Sequence, residues 1–170
     1  MIIYIRHGED EEKDYKYDES LTHYGKKSSR KLAHKLIDQF GIPDVIYYSP
    51  FYRTRQTLRE MLIAIDEHTD QRIEKVCDPR LSRFFTKQQK RNPDIRSDTK
   101  RRGPPLDEEW EEFKLRVKDQ IEEIENEEGI VNGNGIVWCI THTLVLSRVI
   151  KVKGLDHGYK IPYLDTIVLN

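Results

Sequence analysis

Ile2-Ile3-Tyr4-Ile5-Arg6-His7-Gly8 is the stretch on which the fold turns. Its first four residues are apolar without alternation, which fits a strand buried on both faces rather than one lying on a wet surface. The run stops abruptly at Arg6 and His7, two groups with strong chemistry, and at a glycine. The same kind of run recurs at Val45–Tyr48, Arg72–Val76, Ile136–Ile140 and Thr166–Leu169, each rich in Ile, Val or Tyr. Five short, mostly continuous β-type runs predict a largely parallel sheet.

Helical patterns lie between them. Thr22 is placed to cap a helix running to about Phe40, with Ala33, Leu36, Ile37 and Phe40 on one face and Gly41-Ile42-Pro43 as its stop. Ser49-Pro50 reads as a cap followed by proline at the first helical position, opening a helix to about Glu67. Leu106, Trp110, Phe113, Val117, Ile121 and Ile124 recur at helical spacing and predict a core-facing stripe. Asn132-Gly133-Asn134-Gly135 is a turn, and a shorter helix is expected after Thr141. The alternation predicts a single domain over residues 1–170, a three-layer α/β/α sandwich around a mainly parallel central sheet. Ligands of such sheets sit beyond the carboxyl ends of the strands. That rule selects the residues after Ile5, after Tyr48 and after Ile140.

Composition narrows the partners. The chain has 170 residues, 29 basic and 30 acidic, for a net charge of -1. No global field points to a membrane surface or to nucleic acid, and no run approaches a membrane span. Cys77 and Cys139 form no disulfide framework, so a reducing cytoplasmic setting is expected. One segment departs from this balance. Arg83–Arg102 holds eight Lys or Arg against two Asp. It reads either as a solvated loop or as a basic lid, at about 83–105, that draws in an anion.

The three strand ends carry Arg6-His7-Gly8, then Ser49-Pro50-Phe51-Tyr52-Arg53-Thr54-Arg55-Gln56-Thr57, then Thr141-His142-Thr143. Brought together, they offer two imidazoles and at least two guanidiniums. Phosphoryl transfer to a histidine needs that set. A neutral imidazole nitrogen attacks phosphorus, while arginines hold the oxygens bidentately, as lysine cannot. Gly8 allows the backbone to approach a phosphate, and the positive end of the helix carrying Arg53 favours an anion.

On these residues the chain resembles the histidine phosphatase superfamily, with its phosphoglycerate-mutase-like fold; size and wording are closest to small phosphohistidine-phosphatase-type members. Arg6-His7-Gly8, Ser49-Pro50-x-x-Arg53-x-x-Gln56-Thr57 and Thr141-His142 carry the resemblance. Leu21-Thr22-x-x-Gly25 and Asp107-Glu108-Glu109 followed by Arg116-Val117 extend it. It implies His7 as nucleophile, Arg6 and Arg53 as phosphoryl clamps, and His142 as a further donor. Gly8, Thr143 and Arg83 join as candidate substrate contacts. Neither metal nor cofactor is implied. The substrate would be a phosphorylated anion: a small molecule, a nucleotide or a phosphoprotein, with nucleic acid the more remote option. A catalytically inactive phosphate-recognising module is the alternative.

Two positions depart from the family. Where many members carry a catalytic Glu two residues after a Leu, this chain has Leu81-Ser82-Arg83. Where the acid-phosphatase branch has Asp after the second histidine, it has Thr143. Glu108 is the substitute proton donor, with Glu9 and Asp10 behind it.

Overall fold

A computed structural model describes residues 1–11, 20–84, 108–126, 135–156 and 160–170. Strands β1 (Ile2–Arg6), β2 (Val45–Tyr48), β3 (Glu74–Cys77), β4 (Val137–Thr141) and β5 (Thr166–Leu169) form one sheet in the order β3-β2-β4-β1-β5. All five anticipated strands are present; Val45–Tyr48 and Thr166–Leu169 keep their expected bounds and the other three shift by one or two residues at an end, the usual uncertainty at element termini. All pairings are parallel except β1 with β5. β1 lies inside the sheet, and its Ile2, Ile3, Tyr4 and Ile5 are all buried. The unbroken apolar run therefore has its reason in burial on both faces.

Helices α1 (His23–Phe40) and α2 (Tyr52–Asp66) cover one face, packing on Ile3, Ile5, Ile46, Trp138 and Ile140. Helices α3 (Trp110–Glu125) and α4 (Thr143–Lys153) cover the other, on Tyr4, Val137 and Cys139. The α/β sandwich expected from the sequence is what the chain adopts. No helix among the described residues is long and apolar enough to cross a membrane.

Thr22 caps α1 as expected, its hydroxyl accepting from the Gly25 amide at 2.8 Å. Two helix expectations are corrected. α2 begins at Tyr52 with Phe51 at the cap, because the Ser49 hydroxyl is engaged elsewhere and Ser49 and Phe51 carbonyls both accept from Thr54 Oγ1, each at 2.6 Å. In the stripe of α3, Phe113, Val117, Ile121 and Ile124 are buried, but Trp110 is 45% exposed. It sits in the first turn, stacked on Phe113 at 5.1 Å, beyond the reach of the sheet. Leu106, the Asn132–Asn134 part of the turn and the basic segment from residue 85 lie outside the described residues.

Register is what builds the site. Arg6 of β1 is paired with Thr141 of β4, and Tyr48 of β2 with Ile140. His7, Ser49 and His142 therefore leave the same sheet edge as neighbours. The ladder extends past the strand ends, since the His7 amide donates to Thr141 O at 3.0 Å and the Ser49 amide to Ile140 O at 3.1 Å. β5 runs the other way, with Thr166 opposite Ile5, so its preceding loop arrives at that edge too.

Candidate active site

His7 is 4% exposed and His142 3%, and their ring centroids are 5.3 Å apart. His7 Nδ1 lies 2.9 Å from Gly8 O. A carbonyl only accepts, so Nδ1 carries the proton. In the neutral ring Nε2 is then bare, which is the form a nucleophile needs. His142 has the opposite arrangement. Its Nδ1 lies 3.3 Å from Arg53 Nη2, which only donates, leaving Nε2–H to donate to Ser49 Oγ at 2.9 Å.

Both rings are held below the ordinary histidine range. Burial is the main cause for His7, followed by the Arg53 charge, with Arg6 and Arg83 adding to it and the Gly8 carbonyl opposing. Burial again leads for His142, followed by Arg53, His7, Arg83 and Arg6. The same cations that would hold an anion thus keep the imidazoles uncharged until one arrives. In nitrogen-15 spectra of the free protein, His7 should show the Nδ1–H tautomer and His142 the Nε2–H tautomer, and neither should titrate near the unperturbed value of about 6.5. Because the folded values lie below the unfolded one, the stability these rings contribute is present above about pH 6.5 and is lost as pH falls toward the folded values. The urea midpoint should accordingly fall on acidification, and less so in His142→Gln.

Arg53 is 6% exposed in the first turn of α2. Its carbonyl accepts from Thr57 Oγ1 at 2.8 Å, and Thr57 Oγ1 in turn accepts from the Gly8 amide at 3.0 Å. One threonine thereby ties the His7 loop to the helix that carries Arg53. Arg6 donates through Nη1 to Ile161 O at 2.5 Å, and its guanidinium lies 3.9 Å from the centre of the Tyr163 ring. Arg83 is the terminal described basic residue on the chain's way into the basic segment, and its charge reaches both histidines. Thr143 opens α4, half-buried, directly after His142 at the cap.

Gly8 has a packing reason of its own. Its amide is occupied by Thr57, and a Cβ there would lie 2.6 Å from Ser29 Oγ and 3.0 Å from Gly25 O. Gly25 is tighter still, with a Cβ 2.1 Å from Glu9 O. Both glycines let the loop after β1 lie close against α1.

Glu108 is buried, with both carboxylate oxygens taken by Arg116, Nη2 to Oε1 at 2.6 Å and Nε to Oε2 at 2.7 Å. Arg116 also donates to the carbonyls of Arg80 and Ser82. The carbonyl bonds fasten α3 to the 3-10 turn Pro79–Leu81, and the bidentate pair with Glu108 holds the guanidinium in place. A proton delivered from either oxygen would come at the expense of one of these bonds.

Two residues of this edge, Ser49 and Tyr163, are not read from the sequence as groups of the site, and a third, Asp10, is named there only behind Glu108. Ser49, read as a helix cap, orients His142. Tyr163 covers Arg6 and has its ring centre 5.6 Å from that of His7. Asp10, only a remote candidate, lies 3.6 Å from Arg53 Nε through Oδ2 and accepts from Tyr163 OH at 2.9 Å through Oδ1. The available signal was Pro162-Tyr163-Leu164-Asp165 immediately before the last strand, informative once that strand is known to be antiparallel.

The family model of the histidine phosphatase superfamily (branch 1) matches residues 2–157. Among solved structures, the chain is similar to a phosphoglycerate mutase from Bacillus anthracis, at 17% identity and a TM-score of 0.64, covering 96% of this chain and 84% of that one. It is similar to a mycobacterial glucosyl-3-phosphoglycerate phosphatase, at 16% identity and 0.63, covering 91% and 80%. The protein histidine phosphatase SixA, solved with tungstate, matches at 20% identity and 0.57, covering 88% and 74%. At these identities the structures share the fold. No curated protein matches the sequence.

Proposed function

From the chain's membership of the histidine phosphatase superfamily, to which it belongs over residues 2–157, we propose that it is a metal-independent phosphatase working through a phosphohistidine on His7. It would cleave phosphoric monoesters or phosphoramidates. The observation that carries this reading is the His7 Nδ1–Gly8 O contact of 2.9 Å, which leaves Nε2 bare in a buried site flanked by Arg6, Arg53 and His142. Nε2 attacks phosphorus as the bond to the leaving group breaks, and Arg6 and Arg53 hold the equatorial oxygens. The Ser49 hydroxyl both accepts and donates. When an anion displaces the Arg53 contact and the neutral ring takes its other tautomer, with the proton on Nδ1 instead of Nε2, Ser49 can donate to the bare Nε2 while Nδ1–H donates to a phosphoryl oxygen.

The substrate is a phosphorylated small molecule, nucleotide or phosphoprotein. Arg83 stands where the family resemblance places an acid, so leaving groups that need no proton suit this site best, neutral imidazole of phosphohistidine among them. Cys77, exposed, and Cys139, buried, form no disulfide, which agrees with a reducing cytoplasmic setting.

Purified protein should turn over p-nitrophenyl phosphate, with activity unchanged by EDTA. kcat/KM should then fall steeply from nitrophenyl to phenyl to alkyl phosphates, because a missing general acid costs about 10²–10⁴-fold on poor leaving groups. Glu108→Gln should leave that slope unchanged. A series shallow in the parent and steep in Glu108→Gln would restore Glu108 as the acid. No turnover of any ester would favour the inactive phosphate-recognising module.

A further inference from the structure

We propose that Asp10 is the general base that activates water against the phosphohistidine, in a site whose described residues supply a base for the second step but no free acid for the first. The inference rests on the phosphatase reading of the His7 site.

Asp10 is a carboxylate in contact with this arginine clamp. It follows Glu9 on the loop leaving β1 and pairs with Leu21 ahead of α1. Its side chain is 11% exposed, and Oδ2 lies 3.6 Å from Arg53 Nε. Arg53 reaches His142 Nδ1 through Nη2 at 3.3 Å, so one guanidinium spans from the second histidine to Asp10. A phosphoryl oxygen held by that guanidinium has the Asp10 carboxylate at its other edge.

The surroundings decide which way a proton moves. Oδ1 accepts from Tyr163 OH at 2.9 Å, and Oδ2 faces a guanidinium. Both neighbours are donors, so Asp10 meets the substrate as an acceptor. Tyr163 is itself fixed, with its ring 3.9 Å from the Arg6 guanidinium and the next residue, Leu164, at φ 60°. A leucine in left-handed backbone is strained, and the turn that bears the strain presents Tyr163 to Asp10 and Arg6.

The two steps then differ. In the first, the bond from His7 Nε2 to phosphorus forms and the bond from phosphorus to the leaving oxygen breaks; the oxygen keeps the electron pair and takes a proton from solvent. In the second, water oxygen bonds to phosphorus as one of its protons passes to the Asp10 carboxylate. The phosphorus–nitrogen bond breaks, its electron pair returns to Nε2, and inorganic phosphate departs. Asp10 releases its proton to solvent before the next turnover.

The test is pre-steady-state turnover of p-nitrophenyl phosphate by the parent, Asp10→Asn and Tyr163→Phe, with the phosphoryl group on His7 followed by mass spectrometry. In Asp10→Asn the expected result is a burst of about one nitrophenolate per enzyme at close to the parent rate. Steady-state turnover should then be about 10²–10⁴-fold slower, with phosphohistidine accumulating. Tyr163→Phe, which keeps the ring over Arg6, should accumulate less. Slowing of the burst itself without accumulation would make Asp10 a positioning group for Arg53 and overturn the proposal. Unchanged turnover in Asp10→Asn would overturn it as well. A parent that turns over no ester would instead sink the phosphatase reading, and this inference with it.

Discussion

His7→Ala should lower kcat for p-nitrophenyl phosphate by about 10⁴–10⁶-fold, the scale on which enzymes lose rate when the attacking group is deleted. The fold should survive. The His7 side chain is buried at a sheet edge and makes its polar contact with the neighbouring Gly8 carbonyl, while the backbone amide that continues the ladder to Thr141 is retained in alanine. Thermal unfolding of the variant should therefore remain cooperative. Because His7 also pushes His142 down, behind burial and Arg53 and ahead of Arg83 and Arg6, its removal should let His142 titrate closer to the ordinary range. A loss of activity under tenfold would mean that another group attacks phosphorus.

Arg53→Lys has the second largest expected effect. Lysine keeps the charge but loses the fork that reaches His142 Nδ1 through Nη2 and Asp10 through Nε. Losing one preorganised donor to the developing charge costs about 10²–10³-fold in kcat, roughly 3 kcal/mol. The effect should fall on kcat more than on KM, since the fork matters most where charge gathers on the equatorial oxygens. Activity within twofold of the parent would place Arg53 outside the reacting group.

The contrast between Arg53 and Tyr163 explains how much of this site the sequence discloses. β1, β2 and β4 are short, wholly or largely apolar runs, and a parallel sheet directs their carboxyl ends to one edge. The residues after them, His7, Ser49 with Arg53, and His142, are legible from that rule alone. Arg6 and Arg53 are recognisable because clustered guanidiniums beside histidine have one common use. What periodicity cannot disclose is direction. β5 reads like the other strands, yet it runs antiparallel, and that reversal brings the loop with Tyr163 to the site.

Hydrogen-bond assignments are hidden for a related reason. Ser49-Pro50 has the local form of a helix start, and only the register of β2 against β4 shows that the hydroxyl meets His142. Glu108 has the look of a catalytic carboxylate in an acidic stretch, but Arg116, two turns on, takes both its oxygens. Gly8 and Gly25 each have a packing reason that the sequence alone does not show, a Cβ at either meeting Ser29 or Glu9.

The central claim is that His7 Nε2 bonds to phosphorus during turnover, and direct capture of that bond tests it. Parent protein mixed with p-nitrophenyl phosphate is quenched within milliseconds in denaturant at alkaline pH, digested, and its phosphopeptides sequenced by mass spectrometry. The account predicts an acid-labile, base-stable phosphoryl group on His7, formed and lost at rates that match turnover, and absent from His7→Ala. A phosphoryl group on serine, aspartate or His142 during productive turnover would contradict it.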